Sequence, residues 1–68
     1  MAQGRVKWYS DKLGYGFIIP DDGGTELFVQ RKDIASSEPK PLDNGDKVTY
    51  EAIQGREGME AKNVSRSN

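Results

Sequence analysis

Strand-type alternation of apolar and polar residues runs through most of this chain, broken by glycine, proline and aspartate. Arg5-Val6-Lys7-Trp8-Tyr9-Ser10 is rich in β-formers and ends at the polar pair Asp11-Lys12. Gly14-Tyr15-Gly16-Phe17-Ile18-Ile19 follows at once, and Pro20 closes it because proline cannot donate to a ladder. Asp21-Asp22-Gly23-Gly24 is turn chemistry: aspartates cap local amides and glycines supply positive φ. Glu26-Leu27-Phe28-Val29-Gln30 makes a third strand, hairpinned to the second. Residues 35–46 hold Pro39, Pro41 and the turn pair Asn44-Gly45, and read as a long irregular loop with one helical turn near Lys32–Ala35. Lys47 to Ile53 alternates as a fourth strand, Gln54 to Gly58 turns the chain, and Met59 to Val64 returns as a fifth.

Five short strands, one long connection and no helix long enough to cover a sheet predict a small closed barrel. Closure hides the edges that an open five-stranded sheet would expose. Periodicity alone leaves SH3-like and OB-type barrels both open. Period two sorts the side chains: Leu27 and Val29 oppose Phe28 and Gln30, while Tyr15, Phe17 and Ile19 share a face opposite Ile18. Val48, Tyr50 and Ala52 fall on one side of the fourth strand. An aliphatic core of Val6, Ile18, Leu27, Val29, Ile34, Val48 and Val64 leaves Tyr15, Phe17 and Phe28 as an outward cluster. The opposite assignment, aromatics inside, is the commoner one for phenylalanine. Two features favour the aliphatic core: Gln30 lies on the aromatic face, and Gly14 and Gly16 leave little bulk behind the rings. An exposed aromatic cluster marks a binding surface.

Composition narrows the class. The chain has 68 residues, one domain's worth, with 10 basic against 11 acidic side chains and a net charge of −1. That balance, despite a hydrophobic fraction of only 34%, argues for a folded domain over disorder. A core this small leaves a stability margin of roughly 3–5 kcal/mol. Cysteine and histidine are both absent, which removes disulfides, thiolate metal sites and the usual general base. An enzyme would then need a carboxylate pair in a water-excluding cleft, for which there is little room, so no enzymatic activity is expected. No apolar run approaches a membrane span or a signal-peptide core, so a soluble intracellular chain is expected.

The chemistry concentrates in Leu13-Gly14-Tyr15-Gly16-Phe17-Ile18, a partial match to the RNA-binding strand pattern of Gly, aromatic, Gly, aromatic. Alternating aromatics on one strand face make a stacking platform, and the glycines would let a nucleic-acid backbone approach. Lys7-Trp8-Tyr9 lies upstream, and Leu27-Phe28-Val29-Gln30 is similar to the second ribonucleoprotein motif. In order and spacing these segments resemble the cold-shock domain family, together with Gly4-Arg5-Val6, Asp21-Asp22-Gly23 and Asn63-Val64. The resemblance spans nearly the whole chain and implies one cold-shock domain over residues 1–68, an all-β, five-stranded antiparallel OB-fold barrel. It implies a monomeric, cytoplasmic binder of single-stranded RNA and single-stranded DNA, of a family whose members act as RNA chaperones or regulators of transcription and translation. No cofactor is implied.

Carried over by position, the family's stacking aromatics fall on Trp8, Tyr15, Phe17 and Phe28, with Tyr9 beside them, and its backbone-facing base on Lys7, assisted by Arg5. Gln30 stands where the family usually has a base-contacting histidine, Arg31 where an aromatic is common, and Pro39 where the long loop commonly offers phenylalanine. Leu13 replaces a usual lysine, for which Lys12 compensates. Parity would send Arg31 into the core, so the third strand is expected to end near Gln30 and turn Arg31 onto the binding surface.

Stacking is worth roughly 1–3 kcal/mol per base, so near-zero net charge does not preclude binding. Every base has a π-face, hence weak sequence preference is expected. A barrel adaptor that grips a protein segment through the same patch is the competing reading. Asp21-Asp22 could hold a hard cation but suffices as a hairpin turn, so no metal is expected. Gly14-Tyr15-Gly16 lacks the third glycine and the helix of a dinucleotide site, and Asn63-Val64-Ser65 matches a glycosylation acceptor by chance.

Overall fold

The computed structural model describes residues 1–35, 42–56 and 58–67. Strands β1 (Ala2–Ser10), β2 (Tyr15–Pro20), β3 (Leu27–Gln30), β4 (Lys47–Gly55) and β5 (Gly58–Arg66) close a barrel in the order β1-β2-β3-β5-β4. A 3-10 turn, Arg31–Asp33, follows β3, close to the expected helical turn. Pro39 and Pro41 lie outside the described residues.

Four of the strand pairings are antiparallel, and the β3–β5 seam is parallel, with Phe28 opposite Glu60. The expectation of an antiparallel barrel is thus corrected at one seam, for a topological reason: a closed ring of five strands cannot alternate direction all the way round. Beside the seam, Ile34 forms an isolated parallel bridge to Val64.

The core consists of Val6, Ile18, Leu27, Val29, Leu42, Val48, Tyr50, Ala61 and Val64, all nearly inaccessible. The aliphatic assignment therefore holds, with two adjustments. Ile34 packs against this cluster from its edge rather than within it, and Leu42, Tyr50 and Ala61 join it. Ala52, on the same side of β4 as Val48 and Tyr50, is exposed, because the β1–β4 ladder ends at Ala2↔Tyr50 and beyond it β4 is flanked by β5 alone.

Two interruptions of strict alternation decide which side chains face out. In β1 the register steps from Val6↔Ile18 to Trp8↔Phe17, so Lys7 is the extra residue of a β-bulge. Without it Trp8 would share the inner face of Gly4 and Val6; with it Trp8 stands beside Phe17 and Tyr9 turns inward. In β5 the register steps from Thr49↔Ser65 to Glu51↔Lys62, and Asn63 adopts φ 52° there. Asparagine tolerates this left-handed conformation better than most residues. The step explains how Ala61 and Val64 are both buried at an odd spacing.

Candidate nucleic-acid interface

The registers place Trp8 beside Phe17, Phe17 beside Phe28, and Phe28 beside Glu60, a single row across β1, β2, β3 and β5. Tyr15 lies two residues from Phe17 on the same face and pairs with Gln30. Ring centroids are 5.6 Å apart for Trp8–Tyr15, 5.5 Å for Trp8–Phe17, 5.5 Å for Tyr15–Phe28 and 5.7 Å for Phe17–Phe28. The rings meet edge-on or tilted, the arrangements that aromatic pairs prefer, so each ring fixes its neighbour. All four are half-buried: their edges rest on one another while accessible surface remains. The structure thus brings together Trp8, Tyr15, Phe17, Phe28 and Gln30.

Tyr9 is separate. It packs against the core, its amide donates to Asn44 Oδ1, and its hydroxyl is buried without a hydrogen-bond partner among the described residues. The bulge at Lys7 is the cause.

The glycines also act differently from the expectation that they admit a nucleic-acid backbone. Gly16 is buried and faces β1, where a Cβ would meet the Trp8 carbonyl oxygen and come within 2.7 Å of the Tyr9 Cα. Gly14 takes φ 82° in the turn before β2. They serve strand approach and turn geometry.

The basic candidates are exposed, and most are already partnered. Lys7 Nζ pairs with Glu26 at 2.9 Å, and Arg31 pairs with Asp11 at 3.0 Å. Arg5 donates to the Gly45 carbonyl at 3.3 Å, and Lys12 is exposed in the turn after β1. Such exposed ion pairs contribute about 0–1 kcal/mol, little enough for a phosphate to compete. The strand does end at Gln30, and Arg31 is exposed.

Sequence reasoning missed the far wall. A groove of about 390 Å³ is bounded by Phe17, Phe28 and Gln30 on one side and by Arg56, Gly58, Met59 and Glu60 of the β4–β5 hairpin on the other. Only the parallel seam brings that hairpin to the rings, and no local pattern encodes the β3–β5 register. Glu60 is held by Lys62, whose Nζ lies 3.3 Å from Glu60 Oε1 and 3.1 Å from Asp33 Oδ2. The hydrogen bond to Asp33 and the neighbouring Glu60 raise the Lys62 pKa above its ordinary value. Among the described residues no cluster of carboxylates is arranged to hold a metal ion, and no helix is long and apolar enough to cross a membrane.

A closed five-stranded barrel that displays clustered aromatics on adjacent strands has the form of an OB-type nucleic-acid-binding domain. Comparison with known proteins narrows that class. The sequence profile described as the 'Cold-shock' DNA-binding domain matches residues 2–67, and the chain belongs to this family of nucleic-acid-binding proteins. It is 48% identical over 61 residues to cold shock-like protein CspA of Shewanella violacea, covering 90% of this chain and 87% of that protein. It is 39% identical over 66 residues to the major cold shock protein of Micrococcus luteus, covering 97% and 98% of the two chains. Among solved structures, Drosophila Unr CSD456 superposes with a TM-score of 0.81 at 19% identity. That match covers 98% of this chain and about a quarter (26%) of the other, and shows the shared fold.

Proposed function

We propose that this chain, one cold-shock domain over residues 1–68, binds single-stranded RNA and single-stranded DNA by stacking bases on Trp8, Tyr15, Phe17 and Phe28. The observation that carries this reading is the continuous row of mutually packed, partly accessible rings from β1 to β3. Stacking needs unpaired bases, because a duplex hides their faces, so duplex is excluded. Gln30 sits at the end of the platform to contact base edges, and Arg5, Lys7, Lys12 and Arg31 track phosphates once their acidic partners are displaced. The protein works as a monomer in the cytoplasm, keeping transcripts open as an RNA chaperone and thereby influencing transcription and translation.

Trp8 is the sole tryptophan, which makes the test direct. Titration with a short oligothymidylate quenches its fluorescence at micromolar concentrations or below, and the matching duplex does not. Absence of quenching and of chemical-shift change with the single strand would leave the adaptor reading in its place.

A further inference from the structure

The groove beyond Phe28 has a polarity of its own. We infer that it selects guanine from a bound single strand, with Glu60 as the residue that sets the preference; this rests on the single-strand reading above. Glu60 continues the row Trp8, Phe17, Phe28 across the parallel seam, so a base stacked at Phe28 has its edge toward the Glu60 carboxylate. That carboxylate is held in place from two sides. Lys62 spans Glu60 and Asp33, and across the hairpin Gly55 leaves room for Glu60 Oε2 that a Cβ would fill. Lys62 occupies part of one oxygen only, and an ionised carboxylate offers about four acceptor sites.

Base chemistry then decides the occupant. Guanine alone presents two adjacent donors, N1–H and the 2-amino group, spaced for a carboxylate. Charge-assisted hydrogen bonds of this kind are roughly twice as strong as neutral ones. Cytosine and adenine each offer a single amino group flanked by an acceptor. Thymine and uracil offer one N–H between two carbonyls, which the carboxylate repels, so discrimination has a repulsive as well as an attractive part. Arg56 lines the same groove, and arginine is the preferred partner of the O6 and N7 acceptors on guanine's other edge. The groove therefore pairs an acceptor and a donor that match both edges of one base.

The test uses Trp8 quenching with a thymidine heptamer, with heptamers carrying one guanine at each position in turn, and with inosine in place of that guanine. Inosine keeps O6 and N7 but lacks the 2-amino group. At one position guanine should bind about tenfold tighter than thymine, the scale on which one bidentate side chain–base pair discriminates, and inosine should lose most of that gain. Glu60→Gln, verified as folded by its melting curve, should bind guanine, inosine and thymine at that position within about twofold of one another while still binding the all-thymidine heptamer. Equal affinity for guanine and thymine at every position, or a guanine preference that persists in Glu60→Gln, overturns the inference and leaves the stacking platform intact. Failure of every heptamer to bind would overturn the single-strand reading itself, and this inference with it.

Discussion

The Arg31 guanidinium lies 3.0 Å from the Asp11 carboxylate and also donates to the Asp11 main-chain carbonyl, which ties the end of β3 to the turn after β1. The same turn receives the Arg31 amide at the Gly14 carbonyl, 2.9 Å away. Arg31 therefore faces out, as its position at the strand end predicts, yet its charge is already partnered. Both side chains are more than half exposed (54% and 61%), so the pair is weak and screened by salt.

A phosphate arriving at the platform thus competes with Asp11 for Arg31. Asp11→Asn should tighten single-strand binding at low salt. It should also steepen the plot of log K against log[salt] by up to about 0.7, the single-strand value for one phosphate contact. Arg31→Phe should make that plot shallower by the remainder of that one contact, so that the two changes together come to about 0.7. Slopes that match the wild type in both variants would mean that Arg31 stays with the turn and never meets the ligand.

Phe17 and Phe28 are half-buried on the outer wall, whereas Val29 between β2 and β5 is fully inaccessible. Phe17→Ala and Phe28→Ala should each weaken binding by roughly 1–3 kcal/mol with small effects on the urea midpoint. Val29→Ala should do the reverse, because it opens a cavity at a cost on the order of 2 kcal/mol, a large share of a small domain's stability. Denaturation and Trp8 titration of the three variants, side by side, check both halves.

The period-two reading of β2 and β3 was sufficient to separate the aromatic face from the aliphatic one, because neither strand contains an irregularity. It failed where an extra residue enters. The bulge at Lys7 moves Trp8 to the rings and Tyr9 to the core; only the resemblance, not parity, placed Trp8 correctly. Leu42 belongs to no strand, so period two cannot place it, whereas Tyr50 shares Val48's face and parity alone carries it into the core beside the aliphatic set. The groove wall of Arg56, Met59 and Glu60 depends on a parallel pairing between segments separated by about half the chain, a long-range contact that local periodicity cannot encode.

Tyr9 gives a direct check on that division. Its buried hydroxyl has no partner among the described residues, and an unsatisfied buried polar group costs about 1–3 kcal/mol. Tyr9→Phe should therefore raise the melting temperature and leave oligothymidylate affinity unchanged. A loss of affinity without a change in stability would return Tyr9 to the binding surface.

Gly16→Ala should damage fold and function together. The added methyl would meet main-chain atoms of Trp8 and Tyr9, which cannot rotate away as a side chain could. β1 and β2 must then separate where Trp8 and Phe17 pair. Gly14→Ala meets no atom but holds φ 82°, so it should cost only the left-handed backbone penalty, roughly 1–2 kcal/mol. Urea midpoints should rank wild type above Gly14→Ala above Gly16→Ala, and a Gly16→Ala protein as stable as wild type would refute the close-approach role.

Tyr50 supplies a pH dependence remote from the rings. Burial pushes its phenol pKa above the ordinary value of 10.0, and the carboxylates of Asp22 and Asp21 push it the same way. Its hydroxyl donates to the Gln3 carbonyl at 3.4 Å, a long hydrogen bond. Above pH 10 the unfolded chain releases the Tyr50 proton while the folded chain retains it, so unfolding is favoured and stability falls as pH rises. Lys62 acts in the same direction. Its folded pKa is raised from 10.5 by Asp33 and Glu60, and that contribution is present below 10.5 and lost as pH climbs through the raised value. The two are separable by substitution. Tyr50→Phe should lower stability at pH 7 only slightly and flatten the decline above pH 10, whereas Lys62→Met should leave the Tyr50 part of that decline in place. Melting temperatures at intervals from pH 8 to pH 11.5 resolve the curves, and a Tyr50→Phe profile as steep as wild type would show that the alkaline loss lies elsewhere.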